Sequence, residues 1–145
     1  MIRTVKEQDR KDYLSMAKAF YESDAVLEKV PAENFEITFD LLLTQNPYAK
    51  GYVFEEKGKI LGYALLAITH SQEAGGQVVW VEEIYLKPEA RGKGCGHAFF
   101  QFLEEALPRA KRFRLEVEME NEKAVALYKE LGFEFFPYDQ MKKDR

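Results

Sequence analysis

The sequence has few of the residues that disulfide-linked or metal-dependent folds need. One cysteine among 145 residues excludes a disulfide framework, and two histidines with that cysteine are too few for a zinc site of common type. No stretch approaches the roughly 18 apolar residues of a transmembrane helix, and the N-terminal segment MIRTVKEQDRKDYL lacks the apolar run of a signal peptide. We therefore expect a cytoplasmic protein with no metal and no membrane partner.

An excess of basic residues is missing as well. The chain carries 21 Lys and Arg against 25 Asp and Glu, for a net charge of −4. Because binding along a nucleic-acid backbone needs a basic surface, we expect no nucleic-acid partner. The composition is 46% hydrophobic and 32% charged, as in soluble globular proteins. At this length, residues 1–145 are expected to form a single domain around one core.

Hydrophobic periodicity predicts elements in the order β-α-α-β-β-β-α-β-α-β. The predicted strands cover residues 2–5, 52–56, 60–69, 78–86, 113–119 and 133–136. Gly58 is expected to take a positive φ in a hairpin turn at 56–59, and the polar stretch 71–76 is predicted to be a loop. This order indicates an α/β (α+β) fold in which a mixed, mostly antiparallel, twisted sheet carries helices on both faces.

Capping and stop signals place the four predicted helices. Asp9 is expected to cap the first, and Pro31 lies near the start of the second, which Asn46-Pro47 ends. The third follows a glycine-rich loop and is closed by Pro108. Asn121 is expected to cap the fourth, which runs through Leu131 and has Gly132 as its C′ residue.

The loop Arg91-Gly92-Lys93-Gly94-Cys95-Gly96 is the most informative segment. Its three alternate glycines lie between a predicted strand and a predicted helix, where they permit a sharp turn and close approach of a ligand. Exposed amides at a helix N-terminus, beside two cationic side chains, favour a phosphate or pyrophosphate group. The loop lacks the Gly-Lys-Ser/Thr ending of a P-loop and the glycine spacing of a dinucleotide-binding fingerprint. A glycine-rich turn without a ligand is the alternative.

This segment resembles the Gcn5-related N-acetyltransferase (GNAT) family, whose motif Q/R-x-x-G-x-G/A is matched by Arg91, Gly94 and Gly96. A second signature, an Asn followed by a helical Tyr and Gly-Phe, is matched by Asn121, Tyr128 and Gly132-Phe133. The predicted element order agrees with the family's fold over nearly the whole chain. The segment 80–96 is most similar to the diamine and polyamine acetyltransferase branch.

The resemblance implies that acetyl-CoA is the co-substrate and that no metal takes part. Backbone amides of the loop would hold its pyrophosphate, the fourth strand would pair with its pantetheine arm, and Asn121 would contact it or act as a helix cap alone. The implied cofactor-binding residues are Ile84, Tyr85, Leu86, Arg91, Gly92, Lys93, Gly94, Cys95, Gly96, His97, Asn121 and Tyr128.

Tyr128 is the residue that the resemblance assigns to chemistry. Coenzyme A leaves as a thiolate whose solution pKa is about 8.5, and a phenol of pKa about 10 beside it can donate a proton. Because Tyr128 also lies on the apolar stripe of its predicted helix, simple packing is the alternative.

Glu82 and Glu83 are the candidates for the general base. They interrupt an apolar run, and burial would raise their pKa values toward neutrality. Strict alternation places them on opposite faces of a strand, unless a bulge intervenes, and the family often carries one near this position. The resemblance favours Glu82 as the base, with Glu83 as an anchor for the substrate ammonium or as second choice. A surface pair of glutamates without a role is the alternative.

Two other functions stay open at this point. One is a catalytically silent module that holds acyl-CoA as a sensor or assembly subunit. The other is a thiol-dependent enzyme built on Cys95, since a thiol at a helix N-terminus can be reactive. Replacing Tyr128 or Cys95 would separate these from the transferase.

Acidic and aromatic residues on the first two helices, around Phe20, Tyr21, Asp24 and Glu28, suit a cationic acceptor. We expect a small or peptide primary amine, such as a diamine, a polyamine or a lysine-like amine; peptide N-termini and aminoglycosides are alternatives. Little sequence follows Gly132-Phe133 for the final hairpin strand of relatives. Residues 140–143 form a stub of it, or a second copy completes the edge, so we expect a homodimer.

Overall fold

The computed structural model describes residues 1–145 as a five-stranded sheet with four α-helices. Strands β1 to β5 are Ile2–Thr4, Ala49–Glu56, Lys59–Ser71, Gly76–Leu86 and Ala110–Leu115. Helices α1 to α4 are Arg10–Tyr21, Glu33–Leu42, Cys95–Ala106 and Glu122–Glu130, and short 3₁₀ turns occur at Glu7–Asp9 and Pro88–Ala90. None of the helices is long and apolar enough to cross a membrane.

The strands lie in the sheet in their chain order, β1-β2-β3-β4-β5. The first four are antiparallel to their neighbours, and β5 is parallel to β4. A parallel pair needs a crossover connection, which α3 provides. Lys57 and Gly58 have φ values of 50° and 77°, so the predicted turn between β2 and β3 is confirmed.

The helices form a layer on each face of the sheet, as predicted. One core contains Tyr13, Met16, Phe39, Val53 and Tyr63, and it lies under α1 and α2. The other contains Leu66, Val79, Val81, Phe99 and Leu103, and it lies under α3. Tyr128 of α4 packs against this second core. The alternation of apolar residues along β2, β3 and β4 supplies both cores, because successive side chains point to opposite faces.

A β-bulge at Glu82 changes the alternation of β4. Leu65 of β3 faces Glu83 and Leu66 faces Val81, so Glu82 has no partner on β3. Before the bulge, Val79 and Val81 belong to the core under α3, and after it Ile84 packs there instead. Glu83 consequently points toward α1. The bulge that the sequence analysis allowed is therefore present.

The same position is where β4 and β5 separate. Their pairing ends at Val81 and Leu115, so residues 82–86 of β4 have a neighbouring strand only on the β3 side. The N–H and C=O groups on the β5 side of this stretch therefore have no strand partner. We call the gap between β4 and β5 at residues 82–86 the splay.

The C-terminal predictions were wrong in part. The predicted last strand at 133–136 and the strand stub at 140–143 do not form, and no regular element follows α4. Phe133 packs its ring 5.4 Å from that of Phe100, and Phe136 lies under the guanidinium of Arg114 at 4.8 Å. These side chains hold the segment against the sheet without backbone pairing, and Pro137 has no N–H to donate. The strand predicted at 113–119 is shorter and shifted, since β5 ends where its partner β4 turns away.

The cap predictions had different outcomes. Asn121 caps α4 by accepting the Ala124 N–H at 3.3 Å, and Gly132 ends it with a φ of 92°. Both are confirmed. Asp9 precedes α1, but its carboxylate accepts hydrogen bonds from Arg3 at 2.8 Å and from the Lys6 amide at 2.8 Å instead of capping the helix. Its buried position next to a guanidinium explains this difference.

Candidate active site

The glycine-rich loop leads directly into α3. Gly92 and Gly94 have φ values of 74° and 78°, in the left-handed region that side chains disfavour. A Cβ at either position would meet nothing within 4 Å, so the requirement for glycine comes from the backbone and not from crowding. Gly94 is the N-cap residue of α3, which begins at Cys95.

The loop presents a run of free backbone amides. None of the N–H groups of residues 92–97 donates to a backbone carbonyl, and the first bond of α3 runs from the Ala98 N–H to the Gly94 carbonyl at 3.1 Å. These amides lie at the positive end of the helix dipole. Such an arrangement fits phosphate oxygens, which need several donors in a small space.

Gly96 has a different role from the other two glycines. A Cβ there would lie 3.0 Å from Cδ2 of Leu127, tighter than an ordinary contact. Glycine at this position lets α4 pack closely on the first turn of α3. The third glycine of the loop therefore fixes the distance between the loop and the helix that carries Tyr128.

The charged side chains of the loop are exposed. Arg91 donates from Nε to the Leu86 carbonyl at 2.9 Å, and its guanidinium lies 5.6 Å from the centre of the Tyr85 ring. Lys93 is exposed beside it. Arg91 thus connects the loop to the end of β4, and both cations add positive potential near the free amides.

Cys95 and His97 contact different groups and not each other. The Cys95 thiol donates to the Ala90 carbonyl across 3.6 Å, while His97 Nε2 lies 3.3 Å from Glu130 Oε2. A histidine that activates a thiol has to face it. The geometry therefore gives the thiol-dependent alternative no support.

The backbone of Ile84, Tyr85 and Leu86 borders the splay. Ile84 and Leu86 turn their side chains to the core under α3, and Tyr85 turns its ring to the opposite core. The outer edge therefore offers N–H and C=O groups, which is what an amide-bearing chain needs for strand-like pairing.

Tyr128 lies on α4 between two phenylalanine rings. Its ring centre is 6.0 Å from that of Phe100 and 5.9 Å from that of Phe133. Burial raises the pKa of Tyr128 above its ordinary value, so the hydroxyl is protonated at neutral pH and is able to donate a proton.

A cavity of about 550 Å³ lies between β5, α4 and the segment that follows α4. Tyr128, Leu115, Glu116 and Trp80 are among its lining residues, together with residues 132–136. The loop at 91–97 and the two glutamates of β4 do not line it. The cavity therefore lies on the Tyr128 side of the candidate site.

Glu82 occupies the bulge at the mouth of the splay. Its side chain is exposed to solvent, and neighbouring protein atoms partly desolvate the carboxyl group. This desolvation is the main cause of a raised pKa for Glu82, and the nearby charges of Glu116 and Glu83 raise it further. A carboxyl group with a raised pKa is a better proton acceptor near neutrality than an ordinary one.

Glu83 has a different environment. Tyr21 donates to its Oε2 at 2.5 Å, and Tyr63 donates to its Oε1 at 2.7 Å. Burial and this carboxylate raise the pKa of both tyrosines, so both remain donors at neutral pH. Tyr21 is among the residues predicted from the sequence to lie on the acceptor side, whereas Tyr63 is not. A phenol within the apolar run of β3 was the available signal, since a buried hydroxyl needs a partner.

Comparisons with known proteins identify the family of this chain. Residues 12–133 match the model of the acetyltransferase (GNAT) family. The chain belongs to the GNAT family.

Among curated relatives of this GNAT chain is the thialysine N-epsilon-acetyltransferase of Sus scrofa. It is 32% identical over 142 residues, which cover 91% of this chain and 82% of the relative. The chain is thus an acetyl-CoA-dependent N-acetyltransferase.

Solved structures of the same fold cover the whole chain. A possible acetyltransferase from Clostridium difficile 630 superposes with a TM-score of 0.82 at 19% identity, covering 100% of this chain and 97% of that one. The aminoglycoside N-acetyltransferase AAC(6')-Iy, solved in complex with CoA, gives a TM-score of 0.80 at 17% identity, covering 100% and 94%. At these identities the likeness shows the fold.

No group of three or more His, Cys, Asp or Glu side chains is arranged to hold a metal ion.

Proposed function

We propose that this GNAT protein transfers the acetyl group of acetyl-CoA to a small cationic primary amine by direct attack. The observation that carries the proposal is a set of acidic side chains at the splay without basic partners. Asp9, Glu55 and Glu73 each form an ion pair, but Glu82, Glu83 and Glu116 form none. Carboxylates that lie together without cations attract a cationic ligand.

The chain offers two backbone surfaces for acetyl-CoA. The free amides of residues 92–97 would hold the pyrophosphate, and the exposed edge of β4 at 84–86 would pair with the pantetheine amides. Arg91 and Lys93 would add charge, and Asn121 at the start of α4 would contact the nucleotide side. Acetyl-CoA supplies the activated acetyl thioester.

Two side chains would move protons during transfer. Glu82, directly or through a water molecule, would take a proton from the attacking ammonium, because a lysine-like amine is almost wholly charged at neutral pH. Tyr128 would donate its phenolic proton to the departing sulfur. Glu83, whose two oxygens each accept a hydrogen bond from a phenol, would serve as an anchor for the ammonium.

The acceptor would be a diamine, a polyamine or a lysine-like amine. The acids at the splay and the aromatic residues of α1 suit an alkylammonium group. The relative named for thialysine, a lysine-like amine, supports the same class. Peptide N-termini and aminoglycosides are the acceptors that the test has to compare.

We also propose a homodimer in which a second copy covers the β5 edge. Strand β5 is the last in the sheet order, and the nearby segment after α4 exposes Phe135, Phe136, Tyr138 and Met141. An open edge next to apolar side chains is a common association surface. Light scattering after size exclusion would give about twice the 16.9 kDa monomer mass for the dimer and the monomer mass otherwise. The cytoplasmic location stays a prediction.

A panel of amines incubated with acetyl-CoA tests the function. Free thiol release and the product mass would be followed for thialysine, lysine, 1,4-diaminobutane, an alanine-initiated peptide and an aminoglycoside. We expect acetylation of one or more of the first three to exceed that of the peptide and the aminoglycoside. Saturable acetyl-CoA binding without transfer to any amine would instead indicate a silent acyl-CoA-binding module.

A further inference from the structure

Glu83 is held from two directions by side chains that the proposed proton transfers do not use. Tyr21, the last residue of α1, donates to Oε2, and Tyr63, within β3, donates to Oε1. Hydrogen bonds to both oxygens fix the position and the rotation of a carboxylate. The Glu83 side chain therefore has one defined orientation.

The aromatic packing around the two phenols leaves little freedom. Tyr63 is fully buried, and its ring centre lies 4.9 Å from that of Tyr13 and 6.2 Å from that of Tyr85. Tyr21 packs 5.3 Å from Phe35 of α2. Because Tyr63 is part of the core, it provides the rigid side of the arrangement.

Tyr21 links this arrangement to the segment between α1 and α2. It ends α1, and residues 22–32 that follow contain no helix or strand before α2. Through its bond to Glu83, the end of α1 is attached to β4 one residue beyond the bulge. The position of this connecting segment is thereby coupled to the carboxylate.

We propose that Tyr21 and Tyr63 are positioning residues that orient the Glu83 carboxylate toward the ammonium of the acceptor. This inference rests on the proposed function and deepens it. It separates the two glutamates: Glu83 is the oriented anchor, and Glu82, in the bulge without such donors, is the proton acceptor. Neither tyrosine would contact acetyl-CoA.

The test compares Tyr21→Phe and Tyr63→Phe with Tyr13→Phe, each assayed with the amine that the wild type acetylates fastest. Tyr13 is a buried neighbour of Tyr63 whose hydroxyl makes no bond to Glu83, so it is the matched control. We expect the KM for the amine to rise about tenfold or more in the first two variants, because each loses a hydrogen bond to a charged group. The KM for acetyl-CoA should stay unchanged in all three.

A second measurement separates positioning from general loosening of the fold. In a Glu83→Gln background, adding Tyr21→Phe should change the amine KM by less than twofold, since the two residues act through one interaction. Two results would overturn the inference while acetyl transfer persists. One is an equal effect of Tyr21→Phe on the amine KM in the wild-type and Glu83→Gln backgrounds. The other is an amine KM in Tyr21→Phe and Tyr63→Phe that matches the value in Tyr13→Phe. Absence of transfer by the wild type would overturn the proposed function itself, so the two failures are distinguishable.

Discussion

Glu116 lies near Glu82 where β4 and β5 separate, and the two carboxylates repel each other. Desolvation is the larger cause of the raised pKa of Glu82, and the Glu116 charge is the next. Glu116 directly follows Leu115, the last residue of β5 to pair with β4. The end of the parallel pairing therefore places an acid next to the proposed base.

The pH profile of the reaction should report this relationship. A base acts only when it is deprotonated, so kcat/KM should fall as the pH drops through the pKa of Glu82, at a midpoint above the ordinary 4.5. Glu116→Gln removes a charge that raises this pKa, and the midpoint should move to lower pH. Glu82→Gln should lower kcat/KM about 100-fold, and it should also remove the acidic limb, the fall of kcat/KM at low pH.

Glu118→Gln is the matched control for these variants. Glu118 is an exposed acid two residues beyond Glu116, and it does not contribute to the pKa of Glu82. Its profile should follow the wild type. A midpoint that stays in place in Glu116→Gln, or an acidic limb that survives in Glu82→Gln, would contradict the assignment of Glu82 as the base.

Removal of the Tyr128 hydroxyl should separate catalysis from binding. In Tyr128→Phe, kcat should fall about 100-fold because the departing thiolate loses its proton donor, while the Kd for acetyl-CoA changes little. Tyr52→Phe removes a hydroxyl from the same core, where Tyr52 packs on Phe102, and should keep the wild-type kcat. Single-turnover kinetics would show whether the chemical step itself is slowed. An unchanged rate of this step would assign Tyr128 to packing.

The Asp9 network should make stability depend on acidic pH. Burial alone would raise the pKa of Asp9, but hydrogen bonds from Arg3 and from the Lys6 amide exceed that effect and lower it. The stabilisation is therefore complete above the unfolded pKa of about 3.9 and is lost as the pH falls through the folded pKa. Asp9→Asn should cost about 3 kcal/mol in urea unfolding at pH 7, because it leaves Arg3 without its buried partner.

The difference in unfolding free energy between wild type and Asp9→Asn should shrink below about pH 4, because the Asp9 carboxylate of the unfolded wild type takes up a proton there while the folded one still resists it. Glu7→Gln provides the comparison, since Glu7 pairs with Arg10 on the surface and should leave stability near that of the wild type. A constant difference between pH 7 and pH 3 would show that the charge of Asp9 does not stabilise the fold.

Local patterns were sufficient to predict much of this fold. The alternation along β2 to β4, the turn at Gly58, the cap at Asn121 and the glycine-rich entry to α3 depend on residues close in sequence, and the structure agrees with them. The predicted strand at 133–136 failed because a strand needs a partner. Here the aromatic side chains pack on Phe100 and Arg114, and the backbone remains unpaired.

The candidate site was predictable to a smaller extent. The loop and Tyr128 lie in sequence motifs, but the contact of Tyr63 with Glu83 depends on the register of β3 and β4, in which Tyr63 faces Tyr85 and Leu65 faces Glu83. The role of Gly96 was also hidden, because its close contact is with Leu127 on another helix. Both facts arise from packing between elements, which spacing along the chain does not specify.

Binding of CoA to the free amides of residues 92–97 is the claim on which the other assignments depend. Titration calorimetry of CoA into the wild type, Gly94→Ala and Gly58→Ala tests it most directly. The two glycines have φ values of 78° and 77° and open surroundings, so an added Cβ strains both turns similarly. Only Gly94 belongs to the loop. We predict saturable binding to the wild type and to Gly58→Ala, with affinity about tenfold lower for Gly94→Ala. No saturable heat with the wild type, or equal affinity in all three proteins, would contradict the account.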